Sequence, residues 1–301
     1  MSCDWGLMTL AKYDGRQRGA RLIWLDLAAT TLVGIVVAGC VLNELRPSAS
    51  VQPTPCPSPQ ATSAPATQAV DPYRQFIYGG LPKTSLQLTL LKNKGYLVGY
   101  SEKHKDPAWV AYRLFKVENP QTHPRPSRFI TDSRTQAKVK HDDYTGSGYD
   151  RGHMAPNYAI DVYHGKDGQR ETFLMSNICP QKPKLNRRVW EHLERTEIRD
   201  YAVRFEDIWV IDGPIFDDQP EKLPAGGDVP SQFFNIIVDE ENGRPRMLAF
   251  IIPQGVEGDE QLRMFLVSVD AIEKLTGLDF FTDLPKEEER KLEAAVPKEI
   301  W

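Results

Sequence analysis

"QFFNIIVDEENGRPRMLAFIIPQ", Gln232 to Gln254, sets two apolar runs, rich in aromatic and β-branched residues, on either side of Asn242-Gly243. Runs of that kind read as strands. Asn-Gly adopts the positive φ that a two-residue hairpin turn needs, so the two strands are expected to pair antiparallel. "GYLVGYSEK" (Gly95 to Lys103), "WVAYRLFKV" (Trp109 to Val117) and "DIWVIDGPIF" (Asp207 to Phe216) have the same character. Helices are fewer. "NRRVWEHLERTEIRDYA" (Asn186 to Ala202) places Val189, Leu193 and Thr196 at helical spacing. "VDAIEKLTG" (Val269 to Gly277) predicts a short helix stopped by Gly277. "KEEERKLEAA" (Lys286 to Ala295) predicts a charged helix with a solvated face. The expected class is α+β, a central antiparallel sheet flanked by helices.

The 301 residues are 41% hydrophobic and 26% charged, enough to bury a sizeable core. A net charge of -4 excludes a polycation, so any contact with a polyanion must come from a local basic patch. Of the four cysteines, Cys3, Cys40, Cys56 and Cys179, only Cys179 lies in the sequence-complex part. A disulfide scaffold and a four-thiolate zinc site are thereby excluded there.

The first 70 residues have another composition. "RLIWLDLAATTLVGIVVAGCVL" (Arg21 to Leu42) is an apolar run preceded by Arg16 and Arg18, the pattern of an export signal or membrane anchor. It is near the roughly 20 residues that a bilayer requires. "VAGC" (Val37 to Cys40) resembles the lipobox of bacterial lipoproteins, which makes Cys40 a candidate lipidation site. A lipoprotein signal, an uncleaved signal anchor and a buried helix remain open readings. The first two export the rest of the chain to the periplasm or cell exterior, tethered to the membrane. "RPSASVQPTPCPSPQATSAPATQAVDP" (Arg46 to Pro72) is rich in Pro, Ser, Thr and Ala and reads as a semi-extended tether. The expected organisation is anchor 1–45, linker 46–70 and folded domain 71–301.

Chemistry concentrates in two stretches of that domain. In "GYDRGHMAPN" (Gly148 to Asn157), His153 is suited to act as a general base near neutral pH. Arg151 can grip a phosphate through two N–H groups, and Gly152 lets another chain segment approach closely. A plainer reading pairs Asp150 with Arg151 and leaves His153 a bystander. In "MSNICPQKPKLNRRVWEHLE" (Met175 to Glu194), Lys182, Lys184, Arg187 and Arg188 form the densest basic stretch of the domain. Such a patch suits a polyanion, since neutralised phosphates release counterions. The side-chain oxygen of Asn186 suits Mg²⁺, although Asn186 could equally cap a helix.

Together with "IDGPIF", "VPSQFF" and "FLVSVDAIEKLTGLDFF", these stretches resemble the DNA/RNA non-specific endonuclease family, over most of Asp71 to Trp301. That family has a ββα-metal (His-Me finger) site, and secreted bacterial nucleases and mitochondrial endonuclease G belong to it. The resemblance implies that His153 activates water and that Asn186 is the direct protein ligand to Mg²⁺, with Mn²⁺ as a substitute. It implies that Arg151 binds phosphate, with Arg128 in "SRFITD" as a second arginine. It matches Glu194 to a glutamate that orients metal-bound water. Eight residues of helix rise about 12 Å, so Glu194 is expected outside the ion's first shell if Asn186 opens the helix. DNA and RNA are the implied substrates, and a homodimer is left open. Two residues depart from the family pattern. Asn235 stands where many relatives are basic, which would weaken substrate grip, and Cys179 where many are small and apolar, which reads as buried and inert. The competing functions are a non-catalytic, polyanion-binding surface lipoprotein and a phosphodiesterase for small substrates.

Overall fold

Apolar side chains alternate between two cores along the expected strands. Ile208 and Val210 enter one core and Trp209 and Ile211 the other. Leu248 and Phe250 likewise oppose Met247 and Ala249. Strands covered on both faces read as nearly continuous apolar runs, which is why these segments stood out. The computed structural model describes residues 72–301. The apolar run, Cys40 and the Pro-rich tether lie outside the described residues.

The strands in chain order are β1 (Lys83–Thr84), β2 (Leu88–Lys92), β3 (Tyr96–Ser101), β4 (Asp106–Phe115), β5 (Asp150–His153), β6 (Ile178–Gln181), β7 (Asp207–Ile215), β8 (Gln232–Glu241), β9 (Arg244–Pro253) and β10 (Leu278–Asp279). Six of them form one antiparallel sheet in the order β2-β3-β4-β7-β8-β9. The β8–β9 hairpin turns where expected: Glu241 pairs with Arg244, and Asn242 and Gly243 take φ of 54° and 73°. β5 and β6 stand apart as their own two-stranded antiparallel sheet, with Gly152 opposite Cys179 and His153 opposite Ile178.

One face of the large sheet is covered by a long helix that runs without a break through Leu185–Trp190, Glu191–Thr196, Glu197–Tyr201 and Ala202–Arg204. Its first and third pieces have wide π-type turns. Leu185, Val189, Trp190, Leu193 and Tyr201 pack from it onto Tyr112, Phe233 and Phe250. The widened turns change the expected face: Glu197, fully buried, faces the sheet where Thr196 had been expected. Asn186 is no cap either, because Lys184 ahead of it is already helical and Asn186 N donates to Lys182 O at 2.9 Å. A further helix, Asn157–Thr172, is broken at Gly165, whose φ of 68° and ψ of -171° suit only glycine.

The other face is covered by Phe76–Tyr78, Phe280, Phe281 and the helix Val269–Thr276. Ser268 Oγ accepts from Ala271 N at 3.2 Å to start that helix, and Gly277 ends it at φ 69°. The helix Lys286–Glu293 departs from its expected solvated face: Glu289 and Glu293 are only 3% and 5% exposed. Charge spacing alone does not show which side of a helix meets the protein.

Candidate active site

The site is built where the paired strands β5 and β6 meet the start of the long helix. Gly152 is required by the strand pair itself, since a Cβ there would lie 1.9 Å from Gln181 Oε1. The close approach expected at Gly152 is thus made by the buried Gln181 side chain. Asp150 does not pair with Arg151. It accepts from Asn186 Nδ2 at 3.0 Å and from Arg187 Nε and Nη2 at 2.7 and 2.6 Å. One carboxylate therefore ties the start of β5 to the first turn of the helix. The partner of Asp150 is thus the helix and not its neighbour Arg151.

His153 ends the strand and is only 8% exposed. Its ring packs against Phe129 and Phe173, with centroids 5.2 and 5.0 Å away. Burial, and then the positive charge of Arg125, hold its pKa well below the ordinary 6.5. The imidazole is therefore neutral through neutral pH. Nε2 is enclosed without a hydrogen-bond partner, which leaves Nδ1 as the nitrogen through which the ring meets solvent. The following loop is pinned by Asn177, whose Oδ1 accepts from Ala155 N at 2.9 Å and whose Nδ2 donates to Ala155 O and Thr172 O.

Arg125 went unrecognised in the sequence. Its guanidinium lies 5.2 Å from the Phe173 ring centroid, and its charge acts on both His153 and Glu194. The available signal was its setting, "PRP": Pro124 and Pro126 restrict the backbone on both sides. Arg128 is instead 65% exposed and paired with Asp142 at 2.8 Å, at the rim near Arg151. Arg125 is thus the arginine grouped with His153, while Arg128 stands at the rim. Arg151 donates from Nε and Nη2 to His141 O at 2.9 and 2.6 Å, and its guanidinium sits 5.7 Å from the Tyr144 ring centroid. Nη1 of Arg151 makes no hydrogen bond among the described residues.

Asn186 fits a hard cation. Its amide nitrogen is committed to Asp150, so its side-chain oxygen, which accepts no hydrogen bond among the described residues, is left as a neutral oxygen ligand. Glu194 lies further along the same helix, half-buried. Burial first, then Glu197 and Glu191, push its carboxyl well above the usual range, while Arg125 pulls the other way. Beneath it, Glu197 Oε1 accepts from Asn235 Nδ2 at 2.9 Å and Glu197 Oε2 from the Tyr112 hydroxyl at 3.1 Å. Asn235 is consequently a buried partner of Glu197 inside the sheet rather than a residue that faces substrate.

A model of the DNA/RNA non-specific endonuclease family matches residues 75–287. The chain belongs to that family. It is 31% identical over 240 residues to the mitochondrial nuclease EXOG of Xenopus laevis, covering 74% of this chain and 65% of that protein. It is 33% identical over 222 residues to a nuclease of Syncephalastrum racemosum, covering 65% of this chain and 68% of that one. The chain spans 65% of the length of the Xenopus laevis and Danio rerio relatives. A crystal structure of an EndoG/EndoGI complex shares the fold at a TM-score of 0.62 and 25% identity, over 70% of this chain and 91% of that one.

The basic stretch of this endonuclease family member is less free than its composition suggests. Lys184 pairs with Glu257 and Arg187 with Asp150. Lys182 and Arg188 are exposed and, among the described residues, have no ion pair. Lys182 and Lys184 share a groove of about 570 Å³ with Tyr149, Glu221 and Glu257, so its charge is mixed. The Cys179 thiol, on β6 opposite Gly152, is fully buried, and burial pushes its pKa well up.

Proposed function

We propose that the protein is a metal-dependent, sequence-non-specific endonuclease that hydrolyses phosphodiester bonds of DNA and RNA. The observation that carries this reading is the pairing of two preparations around β5. A buried, neutral histidine stands at one end, and at the other an asparagine is held by its nitrogen so that its oxygen is left to a cation. In this mechanism His153 takes a proton, at Nδ1, from the water that attacks phosphorus. Arg125 and Arg151 hold the phosphate oxygens as charge develops. Glu194, outside the ion's first shell, orients water in the site. Mg²⁺ held by Asn186, with Mn²⁺ as a substitute, would stabilise the charge on the phosphate and on the leaving 3′ oxygen. The exposed Lys182 and Arg188, which have no ion pair among the described residues, support binding through phosphates rather than base edges.

The test is direct: the purified protein is incubated with supercoiled plasmid and with RNA, in Mg²⁺ or in excess chelator. Cleavage of both in Mg²⁺, at scattered positions, with none in chelator, is the expected result. Binding of both polyanions without cleavage would favour the non-catalytic reading.

The same proposal places the domain outside the cytoplasmic membrane, tethered through residues 1–70. The support is the basic flank, the apolar run, Val37-Ala38-Gly39-Cys40 and the Pro-rich tether. Fatty-acid labelling of the wild type but not of Cys40→Ser is expected. An unlabelled wild type that keeps its first residues would mark a signal anchor instead.

A further inference from the structure

On the sheet face opposite the long helix, five carboxylates converge from three elements. Asp270 and Glu273 come from the helix Val269–Thr276, Asp279 from β10, and Glu289 and Glu293 from the helix Lys286–Glu293. Ligand oxygens of Asp270, Glu273 and Glu293 all lie within 4.8 Å of one another, and so do those of Asp279, Glu289 and Glu293. Two of the five are buried, at 3% and 5% exposure, and Glu289 Oε2 and Glu293 Oε1 have no hydrogen-bond partner. Buried carboxylate oxygens without donors are costly, and like charges add to that cost. The cations nearby do not offset it. Lys286 pairs with Glu289 at 2.7 Å but is 73% exposed, and Lys83, across from Asp279, is also exposed. Glu293 is at the C-terminal end of its helix, where the backbone dipole disfavours an anion.

We propose that these five carboxylates form a second metal site, for one divalent cation of the Ca²⁺ class, with Glu293 common to both triads. All the donors are oxygens, which selects a hard cation over zinc. Two oxygens that each stand 2.3–2.6 Å from one ion are at most about 5 Å apart, a limit that each triad meets, and Glu293 links the two. Ca²⁺ accepts several carboxylates from different elements, whereas Mg²⁺ keeps most of its waters and uses one or two. The ion would bind the two last helices and β10 to one another. This role is structural and does not depend on the nuclease centre, whose helix lies across the sheet.

The experiment uses the full chain carrying Asn186→Ala, so that the proposed catalytic ligand is absent from the metal count. Calorimetric titration with CaCl₂ is expected to give one Ca²⁺ per chain, and the binding to weaken at least tenfold in Glu293→Gln. The thermal midpoint should rise with Ca²⁺, because only the folded chain presents the site. In chelator, Glu289→Gln and Glu293→Gln should raise the midpoint by relieving repulsion, and both should remove the Ca²⁺ increment. If Glu293→Gln does not fold, Asp270→Asn, at an exposed position, is expected to weaken Ca²⁺ binding in a folded chain. No Ca²⁺ bound, or binding that all three substitutions leave unchanged, would overturn the proposal.

Discussion

At the scale of single residues, the site depends on how three side chains are held. His153→Ala should lower kcat by about 10²–10⁴-fold, the usual share of acid–base catalysis, with the circular dichroism spectrum unchanged. The acid limb of kcat/KM should lie below 6.5, because burial and then Arg125 disfavour the imidazolium. Arg125→Gln should move that limb upward and Arg125→Lys should restore it; a limb that stays fixed in both would show that Arg125 does not act on His153. Much of this site was legible in the sequence. "DRGH" and the asparagine before "RRVWEHLE" were expected to share one site, and Asp150 ties the two stretches together. Arg125 was not legible, because its grouping with His153 arises only when the chain from Pro124 to Arg128 folds back over Phe173. The family resemblance pointed to Arg128, in "SRFITD", which pairs with Asp142 at the surface.

At the scale of elements, local chemistry was legible where one residue type dictates one geometry. Asn242-Gly243 fixed a hairpin, and Gly277 ended a helix. The helix Asn157–Thr172 was not foreseen, since Gly165 and Gly168 interrupt any apolar stripe. The π turns of the long helix were equally hidden, and with them the burial of Glu197. That burial has a measurable result. The Glu197 carboxyl is pushed up to about 7 from 4.5, by burial, against the opposing pull of Asn235 and Tyr112. Between those two values the folded chain keeps a proton that the unfolded chain has lost. Stability from this group therefore falls as pH rises through the window, by roughly 3 kcal/mol in total, and is flat above it. Urea unfolding across that range should show a smaller slope in Glu197→Gln than in the wild type. The β5–β6 pair offers a second test. Gly152→Ala forces a Cβ against Gln181 and should cost about 1–3 kcal/mol of stability together with activity. Adding Gln181→Ala should recover part of both, and no recovery would mean that the clash is not the cause.

At the scale of the whole molecule, a chain of net charge -4 can hold a polyanion only through a few local cations. Activity should fall as salt rises, and the dependence should be shallower than four free cations would give, because Lys184 and Arg187 already have partners. Lys182→Gln and Arg188→Gln should each reduce the slope of log affinity against log salt by about one, whatever the base sequence. A substitution that altered which sequences are cut would contradict non-specific binding. The buried thiol on β6 bears on where such a molecule can work. Cys179 is the only cysteine of residues 72–301, and its enclosed sulfur with a raised pKa offers little thiolate to an oxidant. The domain has no disulfide to form and no exposed thiol to scramble, so its fold is indifferent to redox poise and does not require an oxidising compartment to mature.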